Sequence, residues 1–204
     1  AKLYHKQDDN ETAKPYALEA VDKQKKVGDR VGLCKTLRFL VYIMIGLKQL
    51  EMAFQYSDES LSLALELEDV GEIALAKKGK ATVLRRLGQL EEANKLAEES
   101  YMSLLSIGDA RSMTTVRYLQ CLIKRSEENY EDAFVLAEDC LTEFTRLKDE
   151  QYMAYCLVHL GDFYKIFGKR ETAVQNWRNA FQIAQKLGNV DLATKINGRL
   201  NVND

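Results

Sequence analysis

The chain repeats itself every forty residues, and few folds are compatible with that. Ala13, Ala53, Ala93, Ala133 and Ala173 stand forty apart. Two residues before each stands a glutamate: Glu11, Glu51, Glu91, Glu131 and Glu171. Fourteen after each alanine come Val27, Leu67, Ile107, Leu147 and Leu187, and two further on Asp29, Asp69, Asp109, Asp149 and Asn189. Several registers kept in step with no insertion mean an array of structural repeats, and a period of 20 to 50 residues predicts a solenoid.

Each repeat reads as two helices. The second starts near the glutamate. It carries small residues at the alanine and again seven later, at Ala20, Ser60, Ser100, Cys140 and Ala180. A large residue follows each of these: Val21, Leu61, Tyr101, Leu141 and Phe181. This is an amphipathic stripe with room for a close neighbour. The turns that follow ("GD", "ED", "KD", "GN") end one helix and supply an Asp or Asn to cap the next. First helices are expected at about 30–46, 70–87, 110–127 and 150–167. Each has a small residue (Val41, Ala81, Cys121, Gly161) and, two further on, an apolar one (Ile43, Val83, Ile123, Phe163). A two-helix unit cannot bury its apolar face alone, so stacked neighbours share one core. A single Pro in 204 residues agrees with a mostly helical chain.

The residues now carry a resemblance. "LVHLGDFYKIFGKRETA" at 157–173 resembles the tetratricopeptide-repeat signature, with Leu157, Leu160, Gly161, Tyr164, Phe167, Gly168 and Ala173 on its landmark positions. The forty-residue spacing resembles the longer variety of that family, which occurs in polarity scaffolds and in sensor domains of bacterial transcription activators. The resemblance covers essentially the whole chain and implies an all-α fold, a right-handed α-α superhelix of helix-turn-helix repeats. The expected division is a half repeat at 1–29, full repeats at 30–69, 70–109, 110–149 and 150–189, and a capping helix at 190–201, in one solenoid. The array opens part-way through a repeat, so further residues before Ala1 are expected. Two repeats depart from the signature: its first-helix Leu positions hold Lys77 with Lys80, and Arg117 with Gln120. Those helices pack less tightly, or turn these residues to solvent or to a partner.

Charge divides by helix inside a chain of net charge -2. First helices 30–46, 70–87 and 110–127 carry +3, +4 and +3, while second helices 51–66, 91–106 and 131–147 carry -4, -3 and -4. The last full repeat reverses weakly. The family resemblance implies that first helices line a concave groove, with Lys35, Arg38, Tyr42, Lys78, Arg85, Tyr118, Arg125, Tyr155 and Lys165 pointing into it. Cations interleaved with tyrosine suit an acidic peptide or partner segment, since Arg pairs bidentately with carboxylate and Tyr supplies area at low entropic cost. The competing reading is that opposite charges pair between adjacent helices, with each surface pair contributing roughly 0 to 1 kcal/mol. The size of the split favours the groove. The family's chaperone-binding pattern of Lys and Asn is missing, because Tyr42 occupies the position of its first Asn.

Little else points to chemistry, so no enzyme and no cofactor or metal are expected. "GDFYKIFGK" at 161–169 fails as a phosphate loop: six residues separate its glycines and Arg170 replaces Ser or Thr. No HExxH or GxSxG occurs. His159 reads as a core or groove imidazole, and His5 is uninformative. Cys34, Cys121, Cys140 and Cys156 form no CxxC and read as buried thiols of a cytoplasmic protein. The longest apolar run, "FLVYIMIGL", is too short to span a bilayer. The acidic second helices and the net charge argue against nucleic acid. Trp177 falls at a usually small position, as a packing plug or an exposed anchor. The expected function is a scaffold or adaptor binding an acidic protein or peptide. The alternative is a regulatory sensor of a larger signalling or transcription-control protein. End repeats offer a route to homo-oligomers.

Overall fold

A computed structural model of the chain describes residues 10–201; His5 lies outside them. The described residues form ten α-helices and no strand. In chain order they are α1 (Asn10–Val27), α2 (Arg30–Gly46), α3 (Leu50–Glu66), α4 (Val70–Arg86), α5 (Leu90–Ile107), α6 (Ala110–Ser126), α7 (Tyr130–Arg146), α8 (Glu150–Ile166), α9 (Arg170–Lys186) and α10 (Val190–Asn201). Two- and three-residue turns join them, which makes sequential helices antiparallel neighbours. Even-numbered helices are the first helices of the repeats and odd-numbered ones the second. Cα packing groups the chain into two compact units that divide between Leu119 and Gln120, inside α6. Among the described residues no helix is long and apolar enough to cross a membrane.

The turns explain the even spacing. Every turn places one residue in the left-handed region: Gly28, Lys48, Glu68, Gly88, Gly108, Glu128, Lys148, Gly168 and Gly188. A left-handed residue ends a helix by returning N–H groups to its last carbonyls, as Gln89 N–H does to the Leu84 carbonyl at 2.9 Å. At four turns a side chain bears that conformation, which costs a non-glycine residue roughly 1–2 kcal/mol. Glu68→Gly, at φ 54°, is therefore expected to stabilise the fold by about 0.5–1 kcal/mol once the extra freedom of glycine in the unfolded chain is set against it. Urea unfolding followed by circular dichroism checks this, and no gain would mean the turn is not strained.

The caps follow the sequence reading. Asp29, Asp69, Asp109, Asp149 and Asn189 each accept the backbone N–H three residues on, at 2.8, 2.9, 3.0, 3.3 and 2.9 Å. Burial works against the ionised form of Asp109. Hydrogen bonds from the Ser112 hydroxyl and N–H, with Arg111 and Lys78 nearby, nevertheless hold its carboxyl below the ordinary value. The second helices are capped unevenly: Asn129 caps α7, whereas Gln49, Gln89 and Lys169 make no side-chain cap bond. Pro15 lies inside α1, exposed, where its missing N–H removes one helical bond.

Small residues set the helix spacing. Ala53, Ala93, Ala133 and Ala173 are fully buried, as are Ser60, Ser100 and Ala180. The buried hydroxyls bond backbone on the facing first helix: Ser100 Oγ donates to the Ala74 carbonyl at 2.6 Å, and Ser60 Oγ to the Cys34 carbonyl at 3.4 Å. A hydroxyl satisfied this way carries no burial penalty and still allows close approach. In the first unit, Leu37, Leu40, Val41, Ile43 and Met44 of α2 pack with Ala13, Ala17 and Val21 of α1 and Ala53 of α3. In the second unit, Phe163 joins Cys121, Ala133, Ala137 and Leu160. Around Phe163 stand the rings of Tyr130 and Phe134, with centroids 6.5 and 6.4 Å away.

Trp177 is buried at 1 % exposure, so it is a packing plug. Its counterparts four residues after the other repeat alanines are Ala17, Ser57, Ala97 and Ala137. The larger ring fits because the facing residue is Gly161: a Cβ there would fall 2.4 Å from Trp177 Nε1. The indole N–H points to the Val158 carbonyl at 3.3 Å and to Asp162 Oδ1 at 3.2 Å.

Candidate functional site

In the first unit the even-numbered helices are cross-linked by the residues singled out for a groove. Lys35 and Arg38 of α2 both reach Glu72 of α4, at 3.6 and 3.0 Å. Glu72 is buried, at 9 % exposure. It is the third residue of the repeat, in the first turn after the Asp69 cap and within reach of both cations. Lys78 of α4 donates to Thr115 Oγ1 of α6 at 3.0 Å, and its ammonium lies 5.8 Å from the centroid of the Tyr42 ring. The Tyr42 hydroxyl is itself buried, and burial pushes it above the ordinary tyrosine range, so it is a neutral phenol. Lys35, Arg38, Tyr42 and Lys78 are thus brought together. Arg85 and Tyr118 are half-buried on α4 and α6.

In the second unit the corresponding cross-link is centred on Asp162 of α8. Its carboxylate accepts from Arg199 Nε and Nη2 of α10 at 2.8 and 3.2 Å. Arg125 Nη2 of α6 lies 3.3 Å from it. Arg125 Nη1 also meets His159 Nδ1 at 2.6 Å. A guanidinium can only donate, so Nδ1 accepts and the imidazole proton sits on Nε2. Tyr155 of α8 packs edge-on to the Tyr152 ring, and its hydroxyl accepts from the Gln151 amide at 3.2 Å. Lys165 is exposed beside Asp162 and Arg125 in an open cavity of about 440 Å³. Lys195 and Arg199 of α10 also line that cavity, and the groove pattern of the repeats did not single them out. The signal available was a four-residue spacing of two cations on the terminal helix.

The lysines at departed Leu positions answer a separate question. Lys77 reaches Glu99 of α5 at 2.8 Å, and Lys80 reaches Asp58 of α3 at 2.7 Å while lying over the Phe54 ring. Their side chains are only 22 % and 19 % exposed. Long stems therefore fill the helix interface and the ammonium groups emerge at carboxylates. A hydrogen bond from Lys77, followed by its charge, lowers the Glu99 carboxyl. Arg117 likewise stacks 4.8 Å over the Tyr101 ring of α5 and donates to its hydroxyl at 3.1 Å. The two ion pairs take up part of the charge split by pairing between adjacent helices.

Cys34, Cys121, Cys140 and Cys156 are free and buried. Burial, with Cys140 and Cys121 near, pushes the Cys156 thiol far above the ordinary cysteine value, and burial also raises Cys34. Such thiols are poor nucleophiles. Among the described residues no group of three or more His, Cys, Asp or Glu side chains could hold a metal ion.

No family model matches the sequence, and no curated protein matches it. Solved structures do match its fold. Aspartyl phosphate phosphatase F from Bacillus subtilis superposes with a TM-score of 0.74 at 18% identity, over 95% of this chain and 51% of that one. A Rap protein complexed with competence and sporulation factor gives 0.69 at 15% identity, over 99% and 61%. A signal transduction ATPase with numerous domains from Pyrococcus horikoshii, bearing a tetratricopeptide repeat sensor, gives 0.67 at 18% identity, over 85% and 27%. The chain therefore spans less than two thirds of the length of each of these three proteins. Paired helices, left-handed turns, small-residue interfaces and these likenesses together show an all-α helical-repeat fold similar to that of proteins with tetratricopeptide repeats.

Proposed function

We propose that the chain is a protein-interaction module that holds an acidic peptide or an acidic segment of a partner protein against its first helices. The observation that carries this is the cluster of Lys35, Arg38, Tyr42 and Lys78, drawn from successive first helices of the first unit. Glu72 offsets one of the three positive charges. Lys78 lies beside the Tyr42 ring, and Arg and Lys side chains pair with carboxylates through charge-assisted hydrogen bonds. Arg85 and Tyr118 extend the proposed surface in this unit; Arg125, Tyr155 and Lys165 are the proposed contributors in the second. The module acts by binding and carries out no chemistry of its own. A regulatory sensor segment of a larger signalling protein is the second reading, favoured by the likeness to the sensor-bearing ATPase.

Selection from a displayed library of random peptides tests the main reading. Enrichment of Asp- and Glu-rich sequences is expected. The best of them, made as a labelled peptide, should lose at least tenfold in affinity on Lys35→Glu with Lys78→Glu. Raising the salt should weaken it as well. Unchanged circular dichroism would show the variant folded. A selection without acidic bias, or binding indifferent to both lysines, overturns the reading.

A further inference from the structure

Glu72, the carboxylate inside the first-unit cluster, does not belong to the repeat pattern. Its counterparts at forty-residue steps are Gly32, Ser112, Tyr152 and Leu192, all uncharged. One repeat alone has placed a negative charge there. Glu72 also stands three residues after the Asp69 cap, where a glutamate ordinarily reaches back to the N–H of the capping residue. Its own N–H does bond Asp69 Oδ1, at 2.9 Å. Its carboxylate goes elsewhere: Oε2 accepts from Arg38 Nη2 at 3.0 Å, and Oε1 lies 3.6 Å from Lys35 Nζ.

The two contacts differ in kind. The Arg38 side chain is only 20% exposed and its bond to Glu72 has ordinary length, so this pair ties α2 to α4. The Lys35 side chain is 52% exposed. Its separation from Glu72 exceeds the roughly 2.7–2.9 Å of a charge-assisted hydrogen bond. Among the described residues Lys35 pairs with no other carboxylate. An exposed ion pair of this sort is weak and readily exchanged. The flexible lysine stem lets the ammonium swing from Glu72 to a carboxylate arriving from solvent while the Arg38 bond stays in place.

We infer that Glu72 is an autoinhibitory carboxylate: it occupies Lys35 in the free protein and yields it to a carboxylate of the acidic ligand. This rests on the acidic-ligand reading of the first unit and adds to it the residue that opposes binding. Glu72 is tethered beside Lys35, so an isolated carboxylate in solution competes poorly with it. A segment with neighbouring acidic residues competes well, because one of them meets Lys35 while another meets Lys78. The ligand class is therefore a run of Asp or Glu rather than a single acidic side chain. A contact that must be displaced excludes weak ligands as effectively as added attraction selects strong ones.

Fluorescein-labelled hexaglutamate titrated onto the full chain at low salt, read by fluorescence anisotropy, tests this. Glu72→Gln keeps the shape of the side chain and leaves an amide oxygen for Arg38. It should raise the affinity for hexaglutamate at least threefold. In a Lys35→Gln background the same change should raise it less than 1.5-fold. Glu72→Asp withdraws the charge by one methylene and should give part of the gain, and it serves in place of Glu72→Gln if circular dichroism shows that variant unfolded. Wild-type binding with no gain, or a loss, in a folded Glu72 variant would mean that Glu72 only positions the cations. That overturns the inference and leaves the acidic-ligand reading standing. A full gain without Lys35 overturns it as well. No binding of hexaglutamate by the wild type or by either Glu72 variant overturns the acidic-ligand reading and this inference together.

Discussion

Trp177→Ala is expected to destabilise the second unit by about 3–5 kcal/mol, the range for emptying a buried aromatic site. The ring is 1 % exposed and packs in one core with Ala154, Leu157, Ala173 and Ile196. The informative part is its dependence on Gly161. Elsewhere the same pair of positions is filled as Val41 with Ser57, Ala81 with Ala97, and Cys121 with Ala137. One repeat has moved nearly all the volume to one side. Gly161→Val alone should then cost about 1–3 kcal/mol, because its Cβ would lie 2.4 Å from the indole nitrogen. Combined with Trp177→Ala it should restore at least about 1 kcal/mol of the loss, since valine fills part of the vacated space. Urea unfolding read by circular dichroism gives all three values without needing the tryptophan. Additive losses in the double variant would mean the two residues do not share one space.

The second large effect is expected at Asp162. Replacing it by Ala removes the acceptor of two arginines and an indole N–H at once, and its side chain is only 13% exposed. Hydrogen bonds to charged groups contribute roughly 1.5–3 kcal/mol each, and solvent reaching the arginines lessens the sum. A loss of about 2–4 kcal/mol is expected. It should be concentrated in α10, which Asp162 ties to α8 through Arg199. Hydrogen exchange would show it as faster exchange across residues 190–201, with α2 to α4 unchanged. Uniform destabilisation of the whole chain would refute this account of how the terminal helix is held.

Much of the fold was legible because its signals are local. A left-handed residue two positions before each helix from α2 on, an Asp or Asn capping each first helix, and an alanine every forty residues mark where helices begin and end. Those effects act within four or five residues of chain. The burial of Ser60 and Ser100 was equally readable, since a small residue seven after the alanine lies on the same helical face. Lys77 and Lys80 were the harder case. Their positions in the repeat called for Leu, and only the presence of Glu99 and Asp58 on the flanking helices shows how the lysine stems stay in the interface.

The candidate site was legible as a list of side chains and not as a set of contacts. Helical phase put Lys35, Arg38 and Lys78 on first helices, but it could not say that two of them share Glu72. Nor could it say that Lys195 and Arg199, outside the repeat ladder, would join Arg125 and Lys165 around one cavity. By itself the sequence determined the repeat, the helix boundaries, the caps and the small-residue interfaces, since backbone hydrogen bonding and steric fit constrain each of them within a few residues. Only the tertiary structure decided which charge meets which. Long Lys and Arg side chains have many rotamers of similar energy, and a partner some 34 to 37 residues away comes within reach only after the helices between have packed.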